Sequence, residues 1–322
     1  MTLLVAGAVV LAVVVVGARH QVADPGPLAA ETVVEIPRGT GLAEATAILE
    51  EAGAIDNPLL FRLAARYAGA DRRLKAGEYR LDPGVSIETL LATLTSGRAI
   101  SYRVTVAEGL TSYEVVEILR DSDVLEGEIE TLPAEGSLAP DTYFVSRGDT
   151  RAAVIERMQA AQAEILETAW RDRDAGLPLD TSEEALILAS IVEKETGLGE
   201  ERPQVASVFV NRLRRGMRLQ SDPTVIYGIT EGRETLGRGL RRSELNERTP
   251  YNTYAIDGLP PTPIANPGQA AIEAVTNPAS TPYYYFVADG SGGHAFAETL
   301  AEHNANVAEW RRIERQRRAD GQ

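Results

Sequence analysis

The sequence predicts an α+β protein: a smaller N-terminal module and a larger C-terminal domain, behind an apolar N-terminal helix. Two observations carry that reading. Short β-type runs alternate with Gly-bearing turns and amphipathic helices through the first 120 residues. Longer helices separated by Pro- and Gly-rich stretches fill the rest. A chain of 322 residues is long enough for two domains, and 44% hydrophobic with 25% charged residues excludes wholesale disorder.

Residues 1–18 carry no charged side chain and consist almost entirely of Val, Ala, Leu and Gly. As a helix they would rise roughly 27 Å, just enough for the hydrocarbon core of a bilayer. They read as a transmembrane anchor, and residues 19–30, with Pro25, Gly26 and Pro27, as a juxtamembrane linker. A cleaved signal peptide ending at Val16-Gly17-Ala18 is the competing reading. Arg19 and His20 follow the run and no Lys or Arg precedes it, so positive-inside counting alone favours a cytoplasmic body. Topology must therefore be argued from the chemistry of the body.

The module spans 31–100. A strand at 33–36 leads through Pro37-Arg38-Gly39-Thr40 into a helix over 42–51, and a second helix covers 58–67. A strand at 78–81 leads through Asp82-Pro83-Gly84 into a helix from Ile87, and Ser96-Gly97-Arg98 marks the boundary. The larger domain, 101–322, opens with the same pattern: strand 102–106, turn Ala107-Glu108-Gly109, helix 112–120. A Gly-, Pro- and Glu-rich stretch at 126–140 precedes a long amphipathic helix over 151–173.

Composition removes several function classes. A net charge of −15 argues against nucleic acid, which needs a basic face. Zero cysteines exclude disulfides, Cys-ligated zinc, iron–sulfur clusters and thiol nucleophiles. There is no Gly-x-Ser-x-Gly elbow. The glycine loop Gly290-Ser291-Gly292-Gly293-His294 lacks both the Lys-Ser/Thr ending of a phosphate loop and the dinucleotide spacing. His294 and His303 would need distant carboxylates to hold a metal, so neither metal nor cofactor is expected.

The most informative helix begins at Thr181-Ser182-Glu183-Glu184, which reads as a capping box. It continues as an almost wholly apolar run, then meets Glu193-Lys194-Glu195-Thr196, with Gly197 in the position of a helix-ending glycine. A helix apolar nearly all round belongs inside a core. Glu195 lies on the face of Leu188, Ile191 and Val192. Desolvation and the negative end of the helix dipole both disfavour its carboxylate, and a carboxyl that stays protonated is what a general acid requires. The competing view is a solvated helix end. The next helix, over 203–215, turns Val205, Val208, Phe209 and Leu213 inward and Asn211, Arg212, Arg214 and Arg215 outward.

Six of the eleven tyrosines fall between Tyr227 and Tyr285, among Pro, Gly and Asn turns. Aromatic faces beside short amides and hydroxyls suit ring-shaped polar ligands such as sugars. The run Tyr283-Tyr284-Tyr285-Phe286-Val287 reads instead as a core strand.

Long stretches of this part are familiar together: the segment 188–196 (LASIVEKET), 205–213 (VASVFVNRL), 217–228 (MRLQSDPTVIYG), Tyr251-Asn252-Thr253-Tyr254, 258–264 (GLPPTPI) and 285–290 (YFVADG). The chain resembles the bacterial endolytic murein transglycosylases of the YceG type, from its apolar segment to near Trp310. The resemblance implies a single-pass inner-membrane protein with its body outside the cytoplasm and a LysM-like module at 31–100. It also implies cleavage of the β-1,4 bond between N-acetylmuramic acid and N-acetylglucosamine within nascent glycan strands. The products would carry 1,6-anhydro ends, and penicillin-binding protein synthases are expected partners. The family's catalytic glutamate falls on Glu195, the residue singled out on physical grounds. Thr196 is expected to orient it, and Asp222, Tyr227, Tyr251, Asn252, Tyr254 and Asn266 to line the glycan groove. Two rivals stay open: a hydrolase in which Glu193 or Asp222 activates water, and a non-catalytic glycan-binding scaffold.

Overall fold

The structure is a computed structural model and describes residues 16–17 and 19–319. The expected anchor, residues 1–18, thus lies outside the described residues apart from Val16 and Gly17. Among the described residues no helix is long and apolar enough to cross a membrane. The mixed α+β architecture is as expected: helices dominate, and the sheets are small, two strands each. Two compact units are present. Among the described residues, the first runs up to Arg103 with short returns at 123–126 and 144–150, and the second comprises 104–122, 127–143 and the chain from Arg151 onward.

In the first unit β1 (Thr32–Ile36) pairs antiparallel with β2 (Gly77–Leu81), in a register that sets Val34 opposite Tyr79. Val34, Ile36, Tyr79 and Leu81 alternate inward and meet Leu49 from α1 (Leu42–Glu51), Phe61 from α2 (Pro58–Tyr67), and Leu90 and Leu94 from α3 (Ile87–Ser96). Helix boundaries follow local chemistry. Asn57 caps α2 by accepting from the Leu60 N–H at 3.0 Å, with Pro58 at the first helical position. Ser86 caps α3, and Gly97 closes it in the left-handed region at φ 75°. The expected linker is not free chain. The Gly26 N–H donates to the Gly84 carbonyl, the Gly84 N–H donates to the Leu28 carbonyl, and Leu28 joins the core. After β3 (Tyr102–Thr105), this unit also holds β4 (Leu125–Glu126), paired parallel with β6 (Asp149–Thr150).

The second unit is organised around α6 (Ser182–Glu195). Helix α4 (Ser112–Arg120) opens it, followed by β5 (Thr142–Val145), which the unit boundary divides, and then α5 (Arg151–Arg171). The apolar run of α6 is buried on all sides: Leu188, Ile191 and Val192 pack with Val205 and Phe209 of α7 (Arg202–Arg214) and with Ile272 and Val275 of a later helix. Burying each such side chain is worth about 1.5–3 kcal/mol. Then come α8 (Asp222–Thr230), α9 (Arg242–Asn246), that later helix α10 (Gln269–Thr276), the hairpin β7 (Tyr285–Ala288) and β8 (His294–Ala297), and α11 (Leu300–Ala319).

Three local expectations are corrected. Thr181 caps α6, but Glu184 reaches back to the Asp180 N–H (2.6 Å) rather than closing a reciprocal box. Thr196 ends α6 in extended conformation, with its Oγ1 accepting from the Leu198 N–H at 3.1 Å, so Gly197 adopts no left-handed turn. Asn211 and Arg212 point inward rather than outward. The unpaired carbonyls of Thr281, Tyr283 and Tyr284, just ahead of and entering β7, take their donors at 2.7–3.0 Å. The tyrosine run accordingly forms a half-buried hairpin strand, Tyr285–Ala288, with Phe286 opposite Phe296.

Candidate active site

Glu195 occupies the last turn of α6, where the apolar helix reaches a surface. Its side chain is half-buried. Burial among the surrounding elements is the main reason its carboxyl is held above the ordinary glutamate range. The Ser221 hydroxyl opposes that shift, the negative charge of Asp222 reinforces it, and His294 and Arg212 oppose it again.

Ser221 donates from Oγ to Glu195 Oε1 at 2.5 Å. It stands at the N-cap position of α8, yet its hydroxyl caps nothing. Its backbone is clamped instead: Ser221 N–H donates to Thr253 Oγ1 at 2.9 Å, and Thr224 Oγ1 donates to the Ser221 carbonyl at 2.7 Å. Gln220, with φ 54°, makes the turn that brings the chain there. Arg212 supports the same turn from beneath. Its Nη1 donates to the Arg218 and Leu219 carbonyls at 3.1 and 2.9 Å and to Gln220 Oε1 at 3.2 Å. Burial depresses the basicity of this guanidinium, and it is a fixed cation on the side of the site facing Glu195.

Asp222 begins α8 and accepts a hydrogen bond from Tyr254 at 2.7 Å. Burial foremost, then that hydrogen bond and the charge of Asp222, keep the Tyr254 hydroxyl protonated. Asp222 and Tyr254 therefore lie together beside Glu195. Tyr227, further along α8, packs against Tyr251 with ring centroids 5.1 Å apart and planes tilted 55°. Tyr227 donates to Glu135 Oε2 at 3.2 Å, and the Tyr251 hydroxyl sits 2.7 Å from Thr262 Oγ1. Burial raises the Glu135 carboxyl above its ordinary range, against hydrogen bonds from the Ser112 backbone and from Tyr227.

Asn252 and Asn266 are fully buried. The Asn252 amide donates to the carbonyls of Glu244, Leu245 and Glu247, and its oxygen accepts from the Tyr254 N–H. Asn266 donates to the Leu110 carbonyl at 3.0 Å and accepts from the Leu138 N–H at 2.9 Å. Both side chains frame the loops from within. Thr196 is also buried, its hydroxyl committed to the turn after α6.

Glu193 points away from Glu195's partners. It accepts from Arg202 Nη2 at 3.1 Å and from the Gly268 N–H at 2.9 Å, which ties α6 to the start of α10. Ser221, Glu135, Arg212 and the Glu201–His294 pair (2.8 Å) were not among the expected site residues. The sequence offered Ser221 only within the 217–228 segment, among the Pro-bearing turns, and Arg212 only as an outward cation.

The YceG-like family model matches residues 34–309. A protein named endolytic murein transglycosylase from Bacillus subtilis (strain 168) is 29% identical over 303 residues, spanning 84% of this chain and 82% of that protein. One of the same name from Streptococcus pneumoniae is 31% identical over 325 residues, spanning 86% of this chain and 58% of the other. The crystal structure of a putative YceG-like protein from Listeria monocytogenes superposes with a TM-score of 0.53 at 30% identity, covering 85% of this chain and 98% of that one.

Proposed function

Because this chain belongs to the YceG-like family, whose named relatives are endolytic murein transglycosylases, we propose that it cleaves glycan strands of peptidoglycan internally and without water. One observation supports the chemistry most: a carboxyl with raised affinity for its proton, at the end of a buried helix, held at 2.5 Å by a clamped hydroxyl.

Glu195 acts twice. Protonated, it donates to the glycosidic oxygen as the bond from C1 of N-acetylmuramic acid breaks and an oxocarbenium-like state develops. The carboxylate left behind accepts the hydrogen bond of Ser221, which eases the proton's departure. That carboxylate then takes the proton of the muramic C6 hydroxyl as its oxygen bonds to C1. A 1,6-anhydro ring closes, the departing sugar carries a free 4-hydroxyl, and Glu195 is protonated again. Arg212 and His294 steady the carboxylate during its charged interval. Tyr227, Tyr251, Tyr254 and Asp222 line the glycan groove, while Asn252, Asn266 and Thr196 hold its walls from inside.

The remaining parts follow from the same reading. Residues 1–18 anchor the protein in the cytoplasmic membrane with its body outside, where murein is. Residues 31–100, which belong to the first unit and supply most of its core, are a LysM-like glycan-holding module. Nascent strands are the substrate, and penicillin-binding protein synthases the neighbours that make them.

A muramidase has one observation in its favour: the charge of Asp222 lies near enough to Glu195 to raise its pKa, as in a carboxylate pair. Glu193 offers less, being engaged by Arg202 and Gly268. Glu195→Gln, Asp222→Asn and Glu193→Gln should be compared for strand cleavage and glycan binding. The proposal expects Glu195→Gln alone to abolish cleavage while binding persists. Equal loss in Asp222→Asn would favour the hydrolase, and full activity in Glu195→Gln would sink both.

A further inference from the structure

Helix α2 buries Phe61 and Ala65, yet Leu59, Leu63 and Tyr67 stand exposed at 60%, 54% and 84%. Their four-residue spacing puts them on one face. Beside them runs an apolar groove of about 900 Å³, whose lining includes Leu63, Tyr67, Leu91, Val22, Arg19 and Arg73. An exposed apolar face of this kind on a small unit marks an interaction surface.

Charge indicates the occupant's sign. In a chain with net charge −15, residues 57–75 hold Arg62, Arg66, Arg72, Arg73 and Lys75 against a single acid, Asp71. Arg62 and Arg73 donate only to backbone carbonyls, those of Pro58, Gly69 and Ala68. Leucines and a tyrosine flanked by arginines on one helix face is the pattern of an interfacial helix that lies on anionic lipid.

The path of the chain indicates the occupant's identity. Arg19, the residue that follows the apolar run in sequence, lies at this face. Arg19 Nη2 donates to the Tyr67 hydroxyl at 3.4 Å, Val22 packs against the unit's core, and Gly26 and Leu28 are tied in behind it. From Arg19 to Leu28 the chain is held against the same unit as α2. If the run spans the bilayer, the Leu59–Leu63–Tyr67 face emerges at the headgroup level.

We propose that the exposed face of α2 and its groove dock on the anionic lipid surface beside the anchor, with Leu59, Leu63 and Tyr67 inserted among the acyl chains' upper carbons and the arginines on lipid phosphates. This rests on the anchor reading above. It also gives Arg19, which stands on the unexpected side of the apolar run, a phosphate to meet.

The absence of cysteine makes the test clean. Single-cysteine variants Leu63→Cys, Tyr67→Cys and, as an exposed control, Glu35→Cys carry a polarity-sensitive fluorophore in the full chain. Each is reconstituted in phosphatidylglycerol–phosphatidylcholine vesicles or in phosphatidylcholine alone. The expected result is flotation with the vesicles, blue-shifted emission at 63 and 67 quenched by spin-labelled lipid, and a water-like spectrum at 35. Arg62→Gln and Arg66→Gln should each lower the docked-to-free ratio about fivefold in anionic vesicles, and Leu59→Glu should return the label at 67 to water. Flotation with water-like labels at 63 and 67 overturns the docking while leaving the anchor intact. Failure to float overturns both. A shift that needs a second copy of the chain, or that glycan strands produce without lipid, overturns lipid as the occupant. Strand cleavage measured in detergent with the same variants reports on Glu195 separately.

Discussion

Replacing Ser221 with Ala removes one hydroxyl and little else, so it isolates what that group does for Glu195. The residue is 1% exposed, its N–H and carbonyl are held by Thr253 and Thr224, and alanine occupies the same backbone without strain. The lost contact is a 2.5 Å hydrogen bond onto a carboxyl oxygen. A hydrogen bond to a charged group contributes about 1.5–3 kcal/mol. In the proposed first step Glu195 becomes a carboxylate, so the bond is stronger in the transition state than before it. Its loss raises the barrier by up to that amount, or ~10–150-fold in turnover. The pH profile should move as well. Burial holds the Glu195 proton on, and Ser221 is the largest influence favouring its release. A general acid works while protonated, so activity falls as pH rises through its pKa, and Ser221→Ala should carry that alkaline limb to higher pH. The assay is strand-cleavage rate against pH for both proteins, with thermal melts to verify folding. Unchanged turnover and an unmoved limb in a folded variant would refute the role given to Ser221.

Two further substitutions probe the supporting structure. Burial is the chief reason the Glu135 carboxyl sits above the ordinary glutamate range, so its contribution to stability is present below that range and is lost as pH rises through its elevated folded value. Glu135→Gln should therefore gain stability relative to the parent as pH rises from below the usual glutamate range in urea titrations, and a constant difference would contradict the burial argument. Asn252→Ala strands three carbonyls that one amide now satisfies, and should cost about 2–4 kcal/mol of stability. A variant of full stability but weakened glycan binding would instead make Asn252 a direct ligand.

Much of the fold was legible because its signals are local. The helices over 42–51 and 58–67 run over the residues the sequence predicts, and Gly97, read as a boundary, closes α3. The burial of Glu195 was legible for a related reason: an apolar helix must be buried, and whatever ends it is desolvated. The partners of Glu195 were not. Ser221 sits in a Pro-bearing turn by sequence, and only the fold across 26 residues turns its hydroxyl to the glutamate. Arg212 looks like a surface cation until the carbonyls of Tyr284 and the 218–219 turn are brought to it. Asn252 and Asn266 read as sugar-binding amides because side-chain type does not reveal that backbone carbonyls take their donors first. The glycine after α6 was misread because Thr196 supplies the turn with its own hydroxyl.

The central claim is that Glu195 serves as both acid and base, so that no water enters the product. Mass spectrometry of purified murein strands digested by the full chain in detergent, beside Glu195→Gln, addresses it directly. The account predicts internal fragments ending in 1,6-anhydro sugars, each lighter by one water than a hydrolysis product, and none with the variant. Fragments with reducing ends, or cleavage that survives Glu195→Gln, would contradict it.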